Sequence, residues 1–336
     1  MLRPIFEITI NGVVIEHIHS LEIASSWETY TDTAKVSFPI RFKDNTDSIT
    51  NAVNALFNRG DEVVIKCGYF PTLVQVFQGY VSRVKPDSPC MVEVEDAAFL
   101  LKQKNTSFSE SGITLSKLIS DQIGNTVPYV VVQDATNPTN LGDIKTKGRP
   151  NLIQVLKKLR ETYGIVSYFR EGVLQVGLKY YPATSRTHNI KFEERIVGNP
   201  QLDYIKEDDV KIVVRGQNRT GNKKTELYAY YENGQIQVSP LKQEGDVTKT
   251  LPTIGLTEEQ LEEKLREELP KYIYEGYRGS FTTFGFPVIK HGDTVALTSD
   301  KFPERDGSYK VDKVVTRFTT STGLKQIVTL GIKVST

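Results

Sequence analysis

The chain has 336 residues, enough for two or three domains with a large core. Lys plus Arg total 42 against 41 Asp plus Glu, a net charge of +1, so nothing marks a polyanion partner and no nucleic-acid recognition is expected. No apolar run is long enough to span a bilayer and Met1–Glu7 lacks the apolar core of a signal peptide, which predicts cytoplasmic synthesis without stable membrane insertion.

In chain order, Phe6–Ile10 alternates, Asn11-Gly12 is a hairpin turn, and Val13–Ile18 follows. Leu21–Trp27 and Ala34–Pro39 alternate as well, joined through Thr31-Asp32-Thr33. Ser48 is placed to cap a short helix carrying Ile49, Val53, Leu56 and Phe57, with Gly60 as its stop. Residues 60–101 then read as an antiparallel meander: Gly60-Asp61 opens it, Phe70-Pro71 lies between the first two runs, and Gly79-Tyr80 forms a corner in the second. Cys67 and Cys90 fall in or beside these strands and are expected to be free, buried thiols.

From 106 the pattern turns α/β. Thr114 caps a helix with Leu115, Leu118, Ile119 and Ile123, and Gly124 stops it. Pro128–Val132 is a short strand and 134–150 a long loop. A helix from Pro150-Asn151 carries Leu152, Val155, Leu156, Leu159 and Tyr163 on one side up to Gly164, and a hairpin turns at Arg170-Glu171-Gly172. Strands return over 186–250, and Thr257 with Gln260 forms a capping box opening a helix over 257–275. The last segment repeats the meander's punctuation. Gly292-Asp293 follows Gly60-Asp61 at the same offset at which Phe302-Pro303 follows Phe70-Pro71 (292 − 60 equals 302 − 70). The expected fold is therefore α+β, mainly β: two similar β-barrel modules, 1–105 and 186–336, flanking an α/β insertion at 106–185.

Catalytic and metal chemistry finds little support in the residue pattern. His17 and His19 share an expected strand face, with no Cys or third His at a ligand spacing, and no metal or cofactor is expected. There is no Gly-x-Ser-x-Gly elbow, although a Ser-His-Asp set assembled from distant residues stays open. Gly142-Asp143-Ile144-Lys145-Thr146-Lys147-Gly148-Arg149 resembles a phosphate loop but has five residues between its glycines and an Arg at the Lys-Ser/Thr position. Adjacent acids such as Glu193-Glu194 and Asp208-Asp209 point to opposite faces of a strand, which suits solvent better than glycoside hydrolysis. Aromatic concentration is the better lead. Tyr228, Tyr230, Tyr231 and Tyr277 are candidate interface residues, with ordinary sheet packing as the alternative.

With both Gly-Asp modules in view, the chain resembles the phage tail hub family, which includes the late-control-D-like proteins of contractile tails and the hub portion of type VI secretion spike proteins. The resemblance follows the order of Ser25-Ser26-Trp27 to Thr31-Asp32-Thr33-Ala34, Gly60-Asp61, Gly79-Tyr80-Val81, Glu95-Asp96-Ala97 to Leu100-Leu101-Lys102, Glu161-Thr162-Tyr163-Gly164 with its hairpin, Tyr277–Phe281 and Gly292-Asp293-Thr294-Val295. It implies a non-enzymatic homotrimer whose six β-barrels form a ring in a virion tail or injection-machine baseplate. That ring joins the six-fold tail tube to a three-fold spike, and the insertion meets other baseplate proteins. The sequence stops at Thr336 with no β-helix or lysozyme-like extension, so the spike is expected on a separate chain. The resemblance makes Gly60, Asp61, Gly79, Tyr80, Gly292 and Asp293 structural corners. A tail-tip peptidoglycan hydrolase and a host-surface glycan-binding β protein are the alternatives.

Overall fold

The computed structural model describes residues 3–39, 42–43, 49–50, 57–86, 88–132, 140–177, 185–206, 211–220, 223–232, 234–254 and 257–334. Of the helix expected from Ser48 to Gly60, residues 48 and 51–56 lie outside the described residues, but Ile49–Thr50 is a strand paired antiparallel with Phe42–Lys43 rather than a first helical turn. The acid pair Asp208-Asp209 also lies outside the described residues.

The protein is mainly β. Alternating sequence becomes alternating burial: Cys90–Glu95 buries every second residue, as does the second half of Pro4–Ile10. Most strands join one 13-stranded sheet. From one edge it runs Gln201–Ile205, Gly276–Phe284, Gly323–Val334, Gly307–Thr319, Ser20–Ser26, Thr33–Phe38, Cys90–Glu95, Thr72–Lys85, Glu62–Tyr69, Pro4–Ile10 and Val13–Ile15. Thr294–Thr298 pairs with the start of Gly307–Thr319, and Thr187–Lys191 pairs with Thr294–Thr298 in parallel. Two separate barrels were expected; among the described residues the ladder is one open path, joined where Lys313–Thr319 pairs antiparallel with Ser20–Ser26. The core of the first strands takes in two residues of the last strands at the same place, while the remaining C-terminal strands build a cluster of their own. Phe318 and Leu324 belong to the cluster built by Ile8, Ile65, Val81 and Val92, and the Phe318 ring lies 4.4 Å from Phe6.

Cys67 and Cys90 are buried thiols outside any disulfide, and burial pushes the Cys67 thiol up to about 12. His17 and His19 are exposed in the connection after Val13–Ile15 rather than on a strand face, and no group of metal-binding side chains occurs among the described residues. Among the same residues, no helix is long and apolar enough to cross a membrane.

A second core lies within 106–177 but also takes in Ala98 and Leu101 of the preceding helix, Ala98–Gln103. Leu115–Ile123 is capped by the Thr114 hydroxyl, and Leu152–Tyr163 starts with an Asn151–Gln154 capping box and ends on Gly164. Both pack on a three-stranded sheet of Tyr129–Val132, Val173–Gly177 and Val166–Arg170. A further unit spans 212–269: a four-stranded sheet whose Ile212 and Val214 pack on Leu261 and Leu265 of helix Glu258–Glu268. That helix has the expected Thr257–Gln260 capping box but is shorter than expected, because Pro270 cannot continue it and a single tight turn, Leu269–Lys271, follows.

Candidate functional site: a junction built on the repeated Gly-Asp turn

Both Gly-Asp turns have the same hydrogen-bond plan. Gly60 N donates to Val81 O (2.8 Å), Val81 N to Asp61 O (2.9 Å), Asp61 N to Asn58 O (3.1 Å) and Asn58 N to Asp61 Oδ2 (2.7 Å). Gly292 N donates to Val311 O (2.7 Å), Val311 N to Asp293 O (2.9 Å), Asp293 N to Lys290 O (3.1 Å) and Lys290 N to Asp293 Oδ2 (3.0 Å). The two glycines have φ of +96° and +82°, the left-handed region open to Gly. The β-bulges recur too, after Val81 and after Val311. The duplication is thus physical at the turn. The Phe-Pro echo is looser: Phe70-Pro71 is the tip of a tight hairpin, while Phe302-Pro303 enters a one-turn helix between the corresponding strands.

What differs is what each aspartate touches. Asp61 faces solvent in part, whereas Asp293 is 1% exposed. Its carboxylate accepts from Arg170 Nη2 (2.7 Å) and Arg186 N (3.0 Å) on one oxygen, and from Lys290 N on the other, where His188 Nε2 also lies at 3.0 Å. Burial alone would raise its pKa; His188, the Arg186 amide and Arg170 outweigh burial and hold it well below the usual carboxylate range. Arg170 comes from the insertion hairpin and also donates to the His291 carbonyl. Lys290–Glu171 (2.7 Å) extends this contact at the surface.

His291 carries the junction into the first module. Its Nδ1 lies 2.7 Å from Ser25 Oγ, which donates to Asp32 Oδ2 at 2.5 Å. Asp32 also accepts from Ser26 N (3.0 Å), and its own amide donates to Asp96 Oδ2 (2.9 Å). Burial lowers the His291 pKa to about 3, with Arg170 adding to the effect, so the imidazole is neutral. Burial raises Asp32 to about 7 against the hydrogen bonds from Ser25 and Ser26; burial and the charge of Asp32 raise Asp96. Arg160 of the insertion closes a second contact, its guanidinium over Trp27 and Tyr30 and its Nη1 donating to Glu28 O (2.5 Å).

The fold therefore gathers a Ser, a His and an Asp that no local motif announced. The order of contacts differs from a hydrolytic triad: Asp32 bonds Ser25 rather than His291, and His291 Nε2 is buried without a hydrogen bond. The arrangement is a polar seam tying three parts of the chain together. Asp32→Asn tests its titration. A raised folded pKa gives stability that is complete below the unfolded value of 3.8 and lost as pH rises through about 7. Asp32→Asn should therefore flatten the pH dependence of urea unfolding between pH 4 and 8. It should exceed wild type at pH 8 by about 1–2 kcal/mol, discounted for partial exposure; parallel curves would show that Asp32 does not titrate there.

The other sequence candidates scatter. Tyr80 stacks on Phe99 (5.7 Å). Tyr228 is buried, Tyr230 half-buried beneath Lys211 and Tyr231 exposed, all on the 212–269 unit. Tyr277 is buried between Phe192, Tyr204 and Tyr309. Of the acid pair, Glu193 accepts from Ser299 Oγ and Glu194 pairs with Lys191. Among the described residues, three exposed aromatics that were not interface candidates each precede a proline: Phe70 (71%), Phe286 (42%) and Phe302 (45%). Phe70 and Phe286 come from different modules and share a groove of about 480 Å³ with Tyr69, Phe284 and Arg195. Tyr69 fixes that groove by donating to Leu324 O (2.6 Å) and accepting from Gly285 N (3.2 Å).

No protein-family model and no curated protein matches the sequence. Solved structures do match. A tail protein from Neisseria meningitidis MC58 superposes with a TM-score of 0.65 at 13% identity, over 99% of this chain and 97% of that one. The 43 kDa tail protein of prophage MuSo2 from Shewanella oneidensis gives 0.62 at 12% identity, over 97% of each chain. An E. coli type VI secretion system component, described as structurally similar to the bacteriophage T4 tail proteins gp27 and gp5, gives 0.58 at 10% identity, over 98% of this chain and 77% of that one. Over nearly its whole length, this chain has the fold of phage and prophage tail proteins.

Proposed function

We propose that the chain is a structural hub of a phage or phage-derived contractile tail, without catalysis of its own. The observation that carries this reading is the near end-to-end likeness to a tail protein, 99% of one chain on 97% of the other. The proposed units are a first module over 1–105, an insertion over 106–185 and a second module over 186–336. The duplicated Gly-Asp turn supports a pair of related modules within them. Three copies of such a chain offer six related surfaces on one face and three-fold contacts on the other, which suits a ring between a six-fold tube and a three-fold spike. In this reading the spike, the tube and other baseplate proteins are the partners, and the virion tail or injection machine is the location. The non-enzymatic part draws on the seam geometry, where the acid does not orient the imidazole. A peptidoglycan zymogram checks it: clear lysis, lost on substitution of a single Glu, would favour the hydrolase.

Sedimentation equilibrium and negative-stain imaging of the purified chain test the ring: a three-fold particle is expected, and a monomer at every concentration overturns it. Exposed aromatics at the groove give that test residue resolution. Phe70→Asp with Phe286→Asp should weaken self-association at least about tenfold, since buried aromatic anchors dominate interfaces. Unchanged association of the double variant would remove the groove from the subunit contact.

A further inference from the structure

The segment that fails the phosphate-loop pattern has a place in the fold that the tail reading does not use. Lys145, Thr146 and Lys147 form one wall of a pocket of about 290 Å³ on the insertion. The opposite wall is helix Leu152–Tyr163, which contributes Gln154, Val155 and Lys158. Phe108, Ile144 and Val155 make the interior apolar. Lys145, Lys147 and Lys158 are exposed at the rim, and no carboxylate is among the lining residues.

Two features argue against a free phosphate as the occupant. Thr146 is buried and its hydroxyl is committed: Oγ1 accepts from Phe108 N (3.1 Å) and donates to Phe108 O (3.2 Å). The helix N-terminus is closed by the reciprocal Asn151–Gln154 bonds, both 2.9 Å. A small anion would meet only ammonium groups on flexible stems and would leave the apolar floor wet. The wall itself is fixed, because Lys158 Nζ donates to Lys145 O (2.7 Å) and ties helix to strand across the pocket. An occupant that uses both the floor and the rim carries an apolar side chain with negative charge on either side of it.

We propose that this pocket docks a partner-protein segment in which one or two large apolar side chains are flanked by Asp or Glu. The apolar group fills the space between Phe108, Ile144 and Val155, and the flanking carboxylates face Lys145, Lys147 and Lys158. The inference rests on the pocket alone and stands whether or not the chain forms a tail hub.

The test uses the full chain and fluorescence anisotropy. The probe is a fluorescein-labelled peptide with a central Leu-Phe pair and two Glu on each side. Control peptides replace Leu-Phe by Ser-Ser, or each Glu by Lys, and inorganic phosphate serves as competitor. The Glu-flanked Leu-Phe peptide should bind saturably, and both controls should fail to bind. Lys145→Glu with Lys147→Glu should weaken the complex about tenfold, two surface charge pairs being reversed. Lys145→Gln with Lys147→Gln should weaken it less. These lysines are exposed, so circular dichroism and melting should match wild type. Absence of saturable binding, equal binding of the Ser-Ser peptide, or binding untouched by the Glu variants would each overturn the proposal. Full displacement by millimolar phosphate would make the pocket an anion site instead.

Discussion

Asp293→Ala should destabilise the protein by about 3–5 kcal/mol, the range for removing one partner of a buried ion pair. The reason lies in what is left behind. The Arg170 side chain is 6% exposed and would lose its carboxylate without gaining water. Arg186 N and Lys290 N would lose the same acceptor, so a turn, a hairpin and the entry to a parallel strand loosen together. The internal repeat supplies the control. Asp61 makes the same turn bond to Asn58 N, but in solvent, and Asp61→Ala should cost about 1 kcal/mol. Urea unfolding of the two variants measures the difference; equal costs would mean that the turn, rather than the buried charge, is what matters. The pH profile gives a second reading. Asp293 has a depressed folded pKa, so its stabilisation is present above the unfolded value of 3.8 and is lost as pH falls below it. The gap between wild type and Asp293→Ala should narrow from pH 5 to pH 2. The seam thus holds two carboxylates with opposite linkage, Asp293 favouring neutral pH and Asp32 favouring acid.

Local chemistry was legible wherever one residue satisfies a neighbour's backbone. Thr114, Asn151 and Thr257 cap helices as their spacing predicts, and Asn11-Gly12 turns the first hairpin. The Gly-Asp repeat was legible because a positive φ demands glycine at both turns and the aspartate then bonds back three residues. Helix Ala98–Gln103 escaped because it is only six residues long; Asp96 Oδ1 accepts from its first amide, Ala98 N (2.9 Å), but no periodic apolar stripe follows. The strand join between Ser20–Ser26 and Lys313–Thr319 left no trace, because each strand's alternation is satisfied by any partner and nothing local names one at the far end of the chain. Ser25 and Asp32 meet locally, seven residues apart, but His291 reaches them only because that join brings the far end of the chain alongside. Nothing in the sequence of the 212–269 strands separates them from the second module, although Ile212, Val214, Leu261 and Leu265 close a core of their own. Alternation shows that a strand has an inner face, not which sheet it faces.

Gly79 and Tyr80, expected as a corner, instead lie inside the continuous strand Thr72–Lys85, and Gly79 leads to the other large effect. Its counterpart in the second module follows from pairing. Gly79 faces Val63, and Tyr309 faces Val295, which follows Val63 at the offset of the two Gly-Asp turns (295 − 63 equals 292 − 60). One copy has no side chain at this position and the other has a fully buried tyrosine. Each choice is enforced by backbone. A Cβ on Gly79 would lie 2.0 Å from Glu95 O, a strand carbonyl with no freedom to turn aside. In the second module the space exists because Gly276 and Gly307 stand beside the Tyr309 hydroxyl; a Cβ on Gly276 would come within 2.5 Å of it. That hydroxyl in turn accepts from Tyr277 N at 2.9 Å. Gly79→Ala should therefore cost about 3 kcal/mol or more, at the upper end for overpacking, because backbone must move. Tyr309→Phe, which only strips an acceptor from a buried amide, should cost about 1–3 kcal/mol. Gly79→Tyr should leave no folded protein, although tyrosine is native at the equivalent position. Chemical denaturation of the single variants and the soluble yield of the last one check these outcomes. If Gly79→Tyr folded, the two copies would be interchangeable at their centre, and the paired glycines of the second module would have no packing reason to be there.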